Sequence, residues 1–390
     1  GAKWERVVDR VGFHGLILFV LGSTLSITLA QASFYGGVLF PWLVGAAILR
    51  RLTFAKSRIV HAAAALLAAY VIATIFGINW LASLRYLSKL GLFFILFLTP
   101  LYLVSERRVR LLISLIILGM TVNAVYGIVE WLARLAYGLG EGNIGGTFGF
   151  YVTFGGVLVI SSVLTYGRIW LKAPSKHRLA YVGSFAVQLL ALLLTRERNA
   201  LVGLFVGLLL FTLLTRRRYV PLVVVVMMGV ALLLPHPLKS KIIHTSVEEW
   251  AVRIRLEMWS RSIPLIAKRP LTGVGPANVK QAFGEEMPEF KMPFDHVHNN
   301  YLQILLELGL IGFGPFLWIF VEGLRRVLRH HFKYRESNDF LSLTSLSAGA
   351  AIAGFLAAGL FEFNFGDSEV AMPIWFLLGV IVGIEREMER

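Results

Sequence analysis

His298-Asn299-Asn300-Tyr301-Leu302-Gln303-Ile304-Leu305-Leu306-Glu307-Leu308-Gly309-Leu310-Ile311-Gly312 is the stretch from which the chain is best read. A histidine and an asparagine open an apolar run that continues to about residue 324 and carries two glycines within it. At 3.6 residues per turn, Gly309 falls close to three whole turns after His298, roughly 16 Å deeper on the same stripe, with Gly312 near that stripe. Small residues on such a face admit a neighbouring backbone. The histidine is therefore expected at the mouth of a tightly packed membrane helix, with Asn299 capping the helix or orienting the ring. A histidine that merely satisfies an interface, with packing glycines below it, is the plainer reading of the same residues.

Runs of similar length and hydropathy recur along the 390 residues, 57% of which are hydrophobic. A mean hydropathy of +0.71 is too apolar for a soluble globular domain. The expected fold is an all-α polytopic membrane protein with about twelve spans. They lie near 11–30, 33–49, 59–78, 84–104, 110–131, 150–170, 179–195, 199–215, 219–234, 298–324, 340–362 and 370–385. No alternating pattern of a membrane β-barrel is visible. The organisation follows as spans one to nine over 1–234, a long loop over 235–297 and three further spans over 298–390.

The connections sort by charge. Arg50-Arg51, Arg107-Arg108, Arg168 to Arg178, Arg216-Arg217-Arg218 and Arg325-Arg326 alternate with loops poor in basic residues, and both termini are basic. The positive-inside rule places that set and both termini in the cytoplasm, and the loops around 31, 79–89, 132–149, 196–198, 235–297 and 363–369 outside. The formal charge of +15 thus fits topology and anionic headgroups better than nucleic acid. A cleavable leader at the amino end competes with the first span, but its apolar run exceeds a usual leader core. Cysteine is absent, which removes thiol nucleophiles and thiolate metal sites.

The loop 235–297 holds seven of the thirteen prolines. Val247, Trp250, Ala251, Ile254, Met258 and Leu265 recur in it at helical spacing, so an amphipathic helix over about 247–267 is expected at the membrane surface. Lys268-Arg269-Pro270-Leu271-Thr272-Gly273-Val274-Gly275-Pro276 ends it.

Arginines outside the membrane run against positive-inside preference and call for an anionic partner. Arg196 and Arg198 stand in a very short turn, and Arg253 and Arg255 on the loop helix, with Trp259 one turn on. Guanidinium forks match phosphate oxygens; headgroup contact is the alternative. Arg85 and Lys89 are further outward cations. The glycines at 138, 140, 142, 145 and 146, followed by Thr147, give either close backbone approach to a ligand or a plain flexible loop. Asp295, His296 and His298 hint at a metal, but no further cluster of histidine and carboxylate appears in the sequence, and no metal or cofactor is expected. A nucleotide-binding glycine loop and a serine-hydrolase motif are both missing.

Together these residues resemble the O-antigen ligase family of Gram-negative inner membranes. The family motif is a histidine followed by Asn, Ser or Val, nine residues, then Gly-x-x-Gly; His298, Asn299, Gly309 and Gly312 fit it without a gap. Arg198, or its neighbour Arg196, matches a family arginine at a short periplasmic turn. Arg255, Trp259 and the Pro270 to Gly275 stretch match a second arginine unit, and Gly145-Gly146-Thr147-Phe148 is similar to another family segment. The doubling of each arginine departs from the pattern.

The resemblance implies a glycosyltransferase with a periplasmic active site. It would move O-antigen glycan from undecaprenyl diphosphate to the lipid A–core oligosaccharide, with inversion and without a metal. His298 would act as base, Arg198 and Arg255 would hold the diphosphate, and Arg196, Arg253, Asn299, Arg85, Lys89, Gly146 and Thr147 would contact substrate. An O-antigen polymerase is the nearest alternative. A transporter of lipid-linked glycan is the alternative of another class, and it should show charges near the midplane.

Overall fold

The computed structural model describes all residues except 1, 141, 173, 234–249, 337–338 and 389–390. The end of the expected ninth span at 234, loop residues 235–249 with Val247, and Arg390 lie outside the described residues. Those described form helices joined by turns, with no strand among them. In order they are α1 (Ala2–Leu25), α2 (Ile27–Leu49), α3 (Arg58–Phe76), α4 (Trp80–Tyr102), α5 (Glu106–Ala136), α6 (Tyr151–Ile169) and α7 (Ser175–Thr195). Then follow α8 (Arg198–Arg216), α9 (Val220–Leu233), α10 (Trp250–Lys268), α11 (Val279–Glu286), α12 (Asn300–Tyr334), α13 (Asp339–Ala358) and α14 (Ser368–Met388).

Helix starts follow from capping chemistry. The side chains of Ser57, Asn79, Ser105 and Asn299 accept from backbone N–H groups of the first turns of α3, α4, α5 and α12. Among the described residues, eleven helical stretches are long and apolar enough to cross a membrane, so the chain is a multi-pass membrane protein. One stretch, Arg198–Gly229, contains two of the expected spans. The helix breaks at Arg216, with φ −143° and ψ 51°, and α9 restarts after it with 14 residues.

The expected unbroken helix below His298 does not form, and this corrects the reading of its glycine stripe. His298 lies outside α12, with a left-handed φ of 50°. Gly309 takes φ 59° and ψ −160° inside α12, a backbone region open essentially to glycine alone, and interrupts the helix. The segment 270–275 fills the break. The N–H groups of Leu310 and Ile311 donate to the carbonyls of Pro270 and Leu271, at 2.8 and 3.2 Å. The carbonyls of Leu306 and Glu307, which those N–H groups would have bonded, accept from Val274 and Gly275 at 2.7 and 3.0 Å. Two helical hydrogen bonds are replaced by four between segments, so the N–H groups of Leu310 and Ile311 and the carbonyls of Leu306 and Glu307 all keep partners. A Cβ on Gly273 would overlap the Leu306 carbonyl oxygen, and one on Gly309 the Leu271 carbonyl oxygen. On its other side the same segment meets the α3–α4 turn, where the Ile78 N–H donates to the Val274 carbonyl at 2.9 Å.

The centre of the bundle is α13, packed against α6, α8, α12 and α14. Gly203 of α8 and Gly354 of α13 bring those two backbones together. Large apolar side chains such as Phe40, Ile75, Leu118, Val122, Val129 and Val225 stay exposed on the outer helices, as lipid contact requires. Residues 250–297 carry a small core of their own, in which Met258, Leu265, Val274, Phe283 and Val297 pack with Leu306 of α12.

Gly309→Ala and Gly273→Ala should each cost about 2 kcal/mol or more through backbone strain and overlap, lowering the unfolding temperature of the detergent-solubilised protein by roughly 2–3 °C or more. Gly183→Ala, where an added Cβ meets nothing within 4 Å, should leave it within about 1 °C. Equal melting of all three variants would contradict the exchange of hydrogen bonds at the break.

Candidate functional site

His298 is fixed by the residues around it. Asn299 caps α12, its Oδ1 accepting from Tyr301 and Leu302 at 2.9 and 3.0 Å and its Nδ2 donating to the Leu360 carbonyl at 2.9 Å. The Asn300 N–H donates to the Gly359 carbonyl at 2.7 Å, and its side chain bonds Asn364. The start of α12 is thereby tied to the turn between α13 and α14. That turn presents Glu362, a buried carboxylate whose Oε1 lies 2.8 Å from His298 Nδ1.

Burial would push the Glu362 carboxyl up, but the His298 hydrogen bond and charge and the Phe363 N–H outweigh it and hold the group below its ordinary value. An ionised carboxylate only accepts, so His298 Nδ1 carries the proton of this hydrogen bond. Nε2 is buried and has no hydrogen-bond partner. Phe294 and His296 stand edge-on to the imidazole, at centroid distances of 4.6 and 4.3 Å. Burial, then the neighbouring His298, hold His296 down to about 4, against the pull of Glu362 and Asp295, so its ring is neutral near pH 7.

Two cavities flank the Phe361-Glu362-Phe363 turn. The first, of about 500 Å³, is lined by Arg196, Arg198, Arg255, Trp259, Tyr151 and Phe361, among others. Arg196 ends α7 in a left-handed conformation, φ 58°, which turns the chain within two residues into α8 and Arg198. Arg255 reaches it from α10, with Nη2 3.9 Å from Glu362 Oε2. Trp259 Nε1 donates to the Val297 carbonyl at 2.7 Å and so pins α10 to the residue before His298.

The second cavity, about 460 Å³, is lined by Lys89, His296, Glu307, Glu362 and Asp367, with Asp295 at its edge. His298 lines neither, and meets them through Glu362.

The remaining expected contacts stand elsewhere. Arg253 and Arg85 are exposed and line neither cavity. Gly146 is buried against Phe154 and Asn123, with φ 54°, and the Thr147 N–H donates to Asn123 Oδ1 at 2.9 Å. That pair serves the loop; Phe150, Tyr151 and Val152 just beyond it reach the cavities. Asn299 touches backbone and not the ring of His298. The residues that sequence reasoning passed over are Glu362, Glu307 and Asp367. Their signal was faint: carboxylates inside or beside apolar runs, where charge is costly. Glu362 is also the missing carboxylate near the histidines, since His296, His298 and Glu362 each place one ligand atom within 4.8 Å of the others. Such a trio has the chemistry to take a divalent ion, although its shortest contact is already a hydrogen bond between two of its members.

Comparison with known proteins bears on the same stretch. Residues 183–317 match the family model described as O-antigen ligase. Over 133 residues the chain is 30% identical to a putative polysaccharide ligase of Rickettsia bellii (strain RML369-C), a match covering 32% of this chain and 30% of that protein. The matched residues include Arg196, Arg198, Arg255, the 270–275 insertion, His298 and the Gly309 break, while Lys89, Glu362 and Asp367 lie outside them. From α7 to the early part of α12, the chain is thus similar to the O-antigen ligase family model.

Proposed function

We propose that the protein is a glycosyltransferase that moves an O-antigen glycan from undecaprenyl diphosphate to the lipid A–core oligosaccharide, on the periplasmic side of the inner membrane. The observation that carries this reading is the His298–Glu362 pair beside an arginine-lined cavity. In the reaction an acceptor hydroxyl oxygen attacks the anomeric carbon of the donor. The bond from that carbon to the phosphate oxygen breaks, and its electron pair leaves with undecaprenyl diphosphate. The hydroxyl proton passes to His298 Nε2. Attack opposite the leaving group inverts the anomeric centre.

Each residue has a physical task in this scheme. Arg198 and Arg255, with Arg196 beside them, meet the negative charge that grows on the diphosphate. Fixed guanidinium forks in a half-enclosed cavity do this without reorganising. Glu362 fixes the His298 tautomer and stabilises the imidazolium as it forms, the part a carboxylate plays beside a catalytic histidine elsewhere. The activated diphosphate linkage supplies the driving force, so the reaction needs no nucleotide. Both cavities open at the helix ends next to residues 250–299, which favours chemistry at the membrane surface over passage through the bundle. A polymerase that extends the glycan on its lipid carrier would use the same groups and differ in the acceptor.

Purified protein with lipid-linked donor and lipid A–core acceptor tests the proposal. His298→Ala should abolish transfer in a folded protein. Glu362→Gln should lower kcat by roughly 10²–10⁴ with a smaller change in donor KM, because it loses the tautomer and the charge together. Full activity in either variant removes the base assignment.

Arg198→Ala and Arg255→Ala should weaken transfer by on the order of tenfold or more, the scale of a charge-assisted hydrogen bond of about 1.5–3 kcal/mol. Lysine at those positions should not restore it; full rescue by lysine would rule out recognition through paired N–H groups. A chelator should leave the rate unchanged. Inhibition reversed by a divalent ion would turn the His296, His298 and Glu362 trio into a metal site. Product formed only on a second lipid-linked repeat, and never on lipid A–core, would favour the polymerase.

A further inference from the structure

The two cavities differ in charge although one turn walls both. Arginines dominate the first. The second gathers the carboxyl groups of Asp295, Glu307, Glu362 and Asp367 and one lysine along its lining; of these acids Asp295 is paired with Lys280 at 3.0 Å and Glu362 with His298 at 2.8 Å. A diphosphate would find no arginine there.

Glu307 marks the second cavity as more than an acidic surface. It is 2% exposed. Its Oε1 accepts from the Ala277 N–H at 3.1 Å and from Gln303 Nε2 at 2.9 Å. Its Oε2, buried at the cavity wall, has no partner. A buried oxygen left in that state costs free energy unless something donates to it. The arrangement is also rigid. Glu307 is held at the break in α12, where its own carbonyl accepts from Gly275. Gln303 Oε1 in turn accepts from the Val297 N–H at 3.0 Å, one residue from His298.

Across the cavity, Asp367 is fixed by Thr153 Oγ1 and by the Glu369 N–H. Asn364 and Gln303 add amides, and Tyr86 and Phe363 add ring faces. Carboxyl groups accept when ionised and also donate when protonated, and amides do both, while hydroxyl groups both donate and accept and pyranose rings offer apolar faces. The volume falls in the range of small-ligand sites.

We propose that this second cavity is a sugar subsite, which binds a neutral, polyhydroxylated ring through Glu307 and Asp367 and delivers the acceptor hydroxyl to the His298 side of the Glu362 turn. The inference rests on the transfer reaction proposed above for the role of the bound sugar, and on the cavity alone for the binding. Donor and acceptor are then sorted by charge: phosphate to the arginine cavity, hydroxyls to the carboxylate cavity.

The test has two arms on the full-length protein in detergent. In the kinetic arm, Glu307→Gln and Asp367→Asn should each raise the acceptor KM about tenfold and leave the donor KM within about twofold. In the binding arm, saturation-transfer NMR with a neutral hexose trisaccharide should give signal with the wild type and with Arg198→Ala. That signal should fall at least about fivefold in Glu307→Gln and in Asp367→Asn, and inorganic diphosphate should not displace the sugar. Melting curves identify a variant that fails to fold, and the other variant then decides.

Unchanged acceptor KM in the folded variants would overturn the subsite, as would a trisaccharide signal that is absent from the wild type or displaced by diphosphate. A sugar signal that depends on Glu307, in a protein that transfers nothing, would support the subsite while the transfer reaction itself failed.

Discussion

The structure depends on an exchange of backbone hydrogen bonds at Gly309. A helix within a membrane protein must satisfy its own polar backbone, since lipid offers no partner. Here α12 gives up two internal bonds, and residues 270–275 return four. Only glycine tolerates the conformation at 309, and only glycine at 273 clears the Leu306 carbonyl. The Pro-Leu-Thr-Gly-Val-Gly stretch and the glycines after His298 are therefore two halves of one joint. That joint fixes α10 and the 270–299 segment to the bundle, and with them Arg255, Trp259 and His298.

Strain and order concentrate where chemistry is proposed. Arg196 and His298 are two of the four non-glycine residues with positive φ among those described, and such conformations persist only where the surroundings enforce them. For His298 the enforcement is visible: Trp259 and Gln303 hold Val297, Asn299 caps α12, and Glu362 holds the ring. Glu362 also approaches Arg255. One carboxylate thus touches the proposed base, faces a cation of the donor cavity and walls the other cavity. A buried charge in that position costs solvation, and its return under the proposed scheme is a preorganised field rather than added stability.

Much of the helical layout was legible from hydropathy, because a span needs a run of apolar residues whatever its neighbours do. The expected 84–104 and 110–131 correspond to α4 and α5 with their ends moved by several residues. The basic run at 325–335 hid the length of α12, since charge ends a membrane core without ending a helix. One of the two arginine pairs was separable in principle. Arg253 and Arg255 are two residues apart, about 200° on a helix, so only one shares a face with Trp259. Arg196 and Arg198 flank a tight turn and reach the same cavity. Neither the break at Gly309 nor the Glu362 contact was legible, because each joins segments far apart in the chain and neither leaves a periodic trace. The helical wheel that placed Gly309 under His298 assumed regular dihedrals that the inserted segment forbids.

The account is tested most directly by a structure of the protein with undecaprenyl diphosphate bound, determined by cryo-electron microscopy in a lipid nanodisc. The diphosphate should lie between α8 and α10 within hydrogen-bonding reach of Arg198 and Arg255, with the carboxylate cavity beyond Glu362 left free of it. Density for the phosphates beside Lys89 and Asp367, or away from both cavities, would contradict the division of charge on which the mechanism stands.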